Sequence, residues 1–275
     1  MKFLFWNVHG KKNFEQISEL TLNESIDILL LAEFPEQKID STNKLLGELN
    51  KKKSSLYCSL DYVADVKINI FCKTKYKKFI TLKENTQRDT VIYICIPPIA
   101  PILLIAFHYQ SKVNWSDDDQ LAHSGKIKSL VEKWEEILSC DRTILCGDFN
   151  MNPFDKGVVC HSGINAVMER DIAMKISRTI ENEAYRYFYN PMWGFLGDLG
   201  KGKVSGTIRY SPSIPTSYHW QLFDQVFLRP GLIDIFDNDE LDIVTQIGIT
   251  NLLTASRGIK KKFSDHLPIK FKLKI

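Results

Sequence analysis

Apolar residues fall along the chain in short runs that repeatedly stop at a polar side chain. Residues 2–6 are rich in aromatics and end at Asn7, predicting a first strand. Phe14, Ile17 and Leu20 are spaced as on a helix, so residues 14–22 are expected to be helical. Residues 27–32 are a continuous apolar run, the pattern of a strand covered on both faces, and they end at Glu33. Helical character returns over 43–50, and 66–72 alternates as a sheet strand does. The β-rich runs 91–96 and 102–107 flank a connector with three prolines, which predicts a turn between antiparallel neighbours. The second of these runs stops at His108.

A single apolar stripe through Ile127, Leu130, Val131, Trp134, Ile137 and Leu138 marks the clearest helix, with Asp117, Asp118 and Asp119 upstream of it. A buried strand at 143–146 follows and runs into Gly147-Asp148-Phe149-Asn150-Met151-Asn152-Pro153. Turn chemistry alone could account for that segment. Beyond a short helix near Pro153, the stretch to Ile180 is expected to be helical, the aromatic 185–193 segment to anchor core or loop, and 194–217 to be a long loop. Strands are expected at 222–228, at 242–249 and at the terminus, 267–275. Neither a repeat nor a break in composition divides the chain, so 1–275 is read as one domain of mixed strands and helices.

Composition narrows the partners and the compartment. The net charge of +3 excludes a general polycation, but Lys and Arg cluster at 51–53, 73–78, 201–203 and 257–262. Such clusters are usually solvated loops, and any one could face a phosphate chain. The six cysteines form no CxxC pair, and several lie inside apolar runs, which reads as reduced, buried thiols. The first apolar run is too short for a signal peptide and no run approaches membrane-spanning length, so a cytoplasmic location is the expectation.

The polar residues that close the strands carry the chemistry. Asn7, Glu33, His108 and Asp148 with Asn150 end apolar runs, Asp224 opens another, and Asp265-His266 precedes the last. If these strand ends meet at one rim, carboxylate and amide oxygens are available for a hard cation such as Mg²⁺ or Mn²⁺. Carboxylates beside imidazoles suit proton transfer and orientation of a water. Together they meet the needs of metal-assisted phosphoester hydrolysis.

Trp6-Asn7, Glu33, Gly147-Asp148-Phe149-Asn150 and Ser264-Asp265-His266-Leu267-Pro268 resemble, in this order, the motifs of the endonuclease/exonuclease/phosphatase superfamily, which includes pancreatic-type deoxyribonucleases, and they run from residue 6 to 268, nearly the whole chain. The resemblance implies a four-layer α/β sandwich with two central mixed sheets flanked by helices. It implies Glu33 as principal metal ligand, helped by Asn7 and Asp265, with Mg²⁺ or Mn²⁺ as cofactor. Asp148 would orient or deprotonate the attacking water and Asn150 would hold it or a phosphate oxygen. His266, bonded to Asp224, would contact the scissile phosphate, and His108 would lie near the leaving group. Two departures stand out. His9 occupies a position where some members carry an acidic residue, and Gln225 follows Asp224 where many have tyrosine or histidine.

His219 and Trp220 are expected to line the cleft or pack in the core, with stacking on a base or ring as their role in a cleft. His9, His123 and His161 read as ordinary surface or loop histidines. The leading expectation is a divalent-metal-dependent phosphodiesterase, a nuclease acting on DNA or RNA. The alternatives are a phosphatase or phosphodiesterase for a small or lipid phosphate, and a catalytically silent binding module.

Overall fold

A computed structural model describes residues 1–35, 38–53, 55–60, 66–112, 115–210 and 219–275. Two mixed sheets form its centre. In the first, the order across the sheet is Asp242–Ile243, Ile269–Lys272, Lys2–Asn7, Ile28–Ala32, Ile68–Lys73 and Tyr57–Ser59. Lys2–Asn7 and Ile28–Ala32 are parallel, joined through the helix Phe14–Asn23, and their register sets Asn7 opposite Ala32. In the second, the order is Ile80–Asn85, Asp89–Ile94, Ile102–His108, Thr143–Asp148, Asp224–Leu228, Phe188–Tyr189 and Ala166–Val167. Its parallel pair, Ile102–His108 and Thr143–Asp148, is joined through the helix Asp117–Leu138.

The period-two alternation of strand side chains explains the layering. Leu104, Ala106, Ile144, Cys146 and Val226 face the first sheet, in one cluster with Leu4, Leu29, Leu30 and Ile70. Leu103, Ile105, Phe107, Leu145 and Phe227 point the other way and pack with Ile127 and Val131 of the long helix. Each fully buried aliphatic or aromatic side chain of this kind contributes about 1.5–3 kcal/mol. Strands coated on both faces must be apolar throughout, which is why Ile28–Ala32 carries no charge. The expected four-layer α/β sandwich is therefore the observed one.

Several sequence expectations change in detail. The long helix begins at Asp117, so the three aspartates form its first turn instead of preceding it. Ser116 accepts from the Asp119 N–H at 3.2 Å, while Asp119 Oδ2 accepts from the Ser116 N–H at 2.9 Å. This capping box starts the helix before its apolar stripe. The stretch before Ile180 is not a continuous helix: only Arg170–Ala173 is helical there, after the short helix Lys156–Val159. Left-handed backbone at Asn165 and Ile176 interrupts it, and Glu181 and Asn182, both left-handed, turn Ser177–Ile180 back onto Glu183–Arg186.

The expected strand at 242–249 divides into Asp242–Ile243 and Gln246–Ile247, the latter turning through Gly248 at φ +51° to pair with Thr250–Asn251. The loop expected at 194–217 contains the strand Ile208–Arg209, paired with Trp220–Gln221, and its last residues lie outside the described set. The strand expected at 66–72 runs Ile68–Lys73 and is buried on both faces despite its alternating sequence. All six cysteines are free thiols, but only Cys72, Cys140 and Cys146 are buried. Among the described residues, no helix is long and apolar enough to cross a membrane.

Candidate active site

Strand register does most of the assembly. His108 pairs with Asp148 and Asp148 with Asp224 on three adjacent strands of the second sheet, so the three side chains emerge side by side at one edge. Gly147 permits this approach, since a Cβ there would stand 2.1 Å from the Phe107 carbonyl oxygen. On the first sheet, Asn7 ends its strand beside Ala32, and Glu33 follows immediately. Glu33 has φ 47°, His9 47° and Asn150 48°, left-handed values that cost non-glycine residues about 1–3 kcal/mol each. The surrounding hydrogen bonds hold these turns. Glu33 N–H donates to the Lys67 carbonyl at 3.0 Å and Gly10 N–H to the Glu33 carbonyl at 2.9 Å.

The side-chain amide of Asn7 joins the two sheets. Its Nδ2 donates to Glu33 Oε1 and to Asp148 Oδ2, both at 3.1 Å, while its Oδ1 accepts the His9 N–H at 3.0 Å. His108 Nε2 lies 2.9 Å from Glu33 Oε1 and 3.9 Å from Asp148 Oδ2. The His108 hydrogen bond, opposed by burial and helped by Asn7, holds the Glu33 carboxyl down to about 2. Glu33 is thus a carboxylate throughout the neutral range. Asn150 N–H donates to Asp148 Oδ1 at 2.9 Å, and its side-chain amide donates to the Tyr109 carbonyl at 3.2 Å.

The histidine–aspartate pair sits deeper. His266 Nδ1 is 2.7 Å from Asp224 Oδ2, and its Nε2 is 3.8 Å from Asp148 Oδ2. Burial disfavours a charged ring, but the carboxylates of Asp224 and Asp148 outweigh it and push His266 up to about 10. Asp148, Asp224 and His266 bring one donor atom each within 4.8 Å of one another. In this group Nδ1 is taken by Asp224, and Asp148 is already occupied by Asn7 and Asn150. It therefore handles protons and anionic charge better than it could hold a cation.

Carboxylate oxygens of a kind that suits a cation lie on the other side of the cleft. Asp265 Oδ1 is buried without a hydrogen-bond partner among the described residues, an oxygen that calls for positive charge. Between it and Glu33 stands His9, with Nδ1 3.4 Å from Glu33 Oε2 and 3.6 Å from Asp265 Oδ1. His9 is exposed in a turn, as a surface or loop histidine is expected to be, and its ring faces both carboxylates. Its position two residues after Asn7 was the available signal, and the left-handed turn that aims it was invisible in the sequence.

Further residues, some of them inside the motifs, hold the site together. Ser264 Oγ donates to the Asn7 carbonyl at 2.6 Å and accepts the His266 N–H at 3.0 Å, fastening the last motif to the first strand. Trp6 Nε1 donates to the His266 carbonyl at 3.0 Å, and Gln120 Nε2 to the Asn150 carbonyl at 3.0 Å. Gln225, opposite Gly147, accepts from Asn190 and donates to the Met151 carbonyl, so a buried amide chain backs the Asp148 loop.

The structure brings together Asn7, Glu33, His108, Asp148, Asn150, Asp224, Asp265 and His266. His219 and Trp220 lie to the flank: Trp220 pairs with Arg209, whose guanidinium carbon is 5.7 Å from the indole centre, and the adjoining Ile208 bridges to His266.

One basic cluster shares this edge. Residues 257–262 lead directly into Ser264, and Arg209 Nη1 donates to the Ser256 carbonyl at 2.7 Å. The 73–78 cluster begins at Lys73, which pairs with Asp27 at 2.9 Å, at the end of the Ile28–Ala32 strand opposite Glu33.

No protein-family model and no curated protein matches the chain. Solved structures do. The mannosyl-6-phosphatase Bt3783 of Bacteroides thetaiotaomicron VPI-5482 superposes with a TM-score of 0.62 at 12% identity, over 99% of this chain and 99% of that one. An endonuclease/exonuclease/phosphatase family protein from Leptotrichia buccalis C-1013-b gives 0.60 at 14%, over 100% of both chains. D. rerio TDP2, complexed with a single-strand DNA product, gives 0.54 at 15%, over 98% of this chain and 97% of that one. The fold is that of the endonuclease/exonuclease/phosphatase proteins.

Proposed function

We propose that this protein is a divalent-metal-dependent phosphoester hydrolase acting on the phosphodiester bonds of a nucleic acid. The observation that carries the reading is the meeting of ionised Glu33, the buried Asp265 oxygen that has no hydrogen-bond donor among the described residues, and the Asp148–His266–Asp224 group across one cleft. Glu33 and Asp265, with Asn7 beside them, would hold Mg²⁺ or Mn²⁺. The ion, when bound, would polarise a phosphoryl oxygen and neutralise charge that develops on it.

The chain's own groups supply the remainder. Asp148 orients the attacking water and accepts its proton, its carboxylate fixed by the Asn150 N–H and the Asn7 amide. His266, kept cationic by Asp224, holds a non-bridging phosphate oxygen. His108 stands between Glu33 and Asp148, within reach of a leaving oxygen. Trp220 with Arg209 offers a surface on which a base can stack, and the lysines of 257–262 a path for the backbone. The basic cluster at the cleft favours a polyanionic chain over a small phosphate, and the intact constellation speaks against a silent binding module.

The test is a panel of labelled single- and double-stranded DNA, RNA and small phosphate monoesters with Mg²⁺, Mn²⁺ or EDTA. Metal-dependent cleavage of a nucleic acid is expected. Release of phosphate from the small substrates alone would replace the nuclease reading by a phosphatase one. Turnover of none of them would remove the enzyme reading.

A further inference from the structure

We infer that His9 is a nitrogen ligand of the site's cation and biases the site toward a first-row transition dication over Mg²⁺. The inference rests on the metal-binding reading of Glu33 and Asp265 and goes beyond it, because a site of carboxylates and amides alone would give no such bias.

The ring is placed between two carboxylates. Nδ1 of His9 is 3.4 Å from Glu33 Oε2 and 3.6 Å from Asp265 Oδ1. A charge-assisted hydrogen bond would bring such atoms to about 2.7–2.9 Å, so the ring faces both carboxylates without bonding to either. Donor atoms on adjacent corners of one octahedral ion, with bonds near 2.1 Å, stand about 3.0 Å apart. The ring stands between the two carboxylates, whose oxygens would have to draw together around it for all three to close on one ion.

His9 is also held there at a cost. Its backbone is left-handed at φ 47°, and its N–H is tied to Asn7 Oδ1 at 3.0 Å. The Asp265 oxygen it faces is buried and has no hydrogen-bond donor among the described residues. The His9 side chain itself is 52% exposed, so an ion can arrive from solvent. Neutral imidazole suits the later first-row metals, whereas Mg²⁺ demands oxygen.

Co²⁺ and Mg²⁺ titrations by calorimetry, with the visible spectrum of bound Co²⁺, test the inference. His9→Asn and His9→Asp are the chosen variants, because Asn and Asp tolerate left-handed backbone. Loss of even an indirect partner of a ligand costs about 10–100-fold in affinity. His9→Asn should therefore weaken Co²⁺ at least about tenfold and alter its ligand-field bands. His9→Asp should lower the Co²⁺ to Mg²⁺ affinity ratio by a similar factor. Unchanged Co²⁺ affinity and spectrum in His9→Asn, with Co²⁺ binding abolished by Glu33→Gln, overturns the role of His9 and leaves the metal-dependent reading standing. Absence of saturable binding of either ion to the unmodified protein overturns both.

Discussion

The Asn7 amide nitrogen lies 3.1 Å from Asp148 Oδ2, a bond between residues 141 positions apart that links the rims of the two central sheets. The same nitrogen holds Glu33, so one side chain aligns the proposed metal ligand with the proposed base. Replacing Asn7 with Ala removes a donor from a buried carboxylate, which costs about 1–3 kcal/mol. It also loosens the geometry on which turnover depends. A preorganised donor of this kind is worth about 10²–10³ in rate. Asn7→Ala is expected to lower the rate constant for phosphodiester cleavage at saturating substrate by about 100-fold, with a stability loss of a few kcal/mol in denaturant titration. Full activity in that variant would show the link to be structural only.

His266 should make stability depend on pH. Its pKa in the folded protein, about 10, is above the ordinary histidine value of 6.5. The charged ring therefore stabilises the fold fully below about pH 6.5, and that contribution is lost as pH rises through about 10. In EDTA, the free energy of unfolding of the unmodified protein should decline from pH 6.5 toward 10. Asp224→Asn withdraws the carboxylate that bonds Nδ1 and should flatten the decline. An identical slope in both proteins would contradict the pairing.

The basic residues can be sorted by position. Lys260, Lys261 and Lys262 precede the Ser264 turn beside the cleft, whereas Lys75, Lys77 and Lys78 follow Lys73 at the far end of the first sheet. Each lysine–phosphate contact contributes about 0.7–0.9 to the slope of log affinity against log salt. Replacing the first three with Gln should weaken single-stranded DNA binding and reduce that slope by up to about two. Replacing the second three should leave the slope unchanged. Fluorescence anisotropy across a salt series measures both, and equal effects would sink the assignment of the cleft-side cluster.

What could be read in the sequence follows from what is local. Ile28–Ala32 and Thr143–Asp148 are buried on both faces, and each announces itself as an apolar run closed by a polar residue. The residues of the cleft could be named because their order along the chain resembles a known set of motifs. The pairing of His108 with Asp148 could not be read, since it depends on strand register and on the close approach of the Phe107 backbone that the missing side chain of Gly147 allows. The start of the long helix was hidden because its first turns bury Gln120 and Ser124, polar side chains that serve the Asn150 loop and Tyr109. The left-handed turns at His9 and Glu33 left no mark either, and they are what aim the His9 ring at Glu33 and Asp265.

Asp148 carries the central claim, and Asp148→Asn tests it most directly. The variant keeps an oxygen to accept the Asn150 N–H but cannot take a proton from water. Single-turnover cleavage of a labelled oligonucleotide with Mg²⁺ or Mn²⁺ should slow by about 10²–10⁴-fold relative to the unmodified protein, while circular dichroism and oligonucleotide binding stay the same. Cleavage at the unmodified rate would contradict the account.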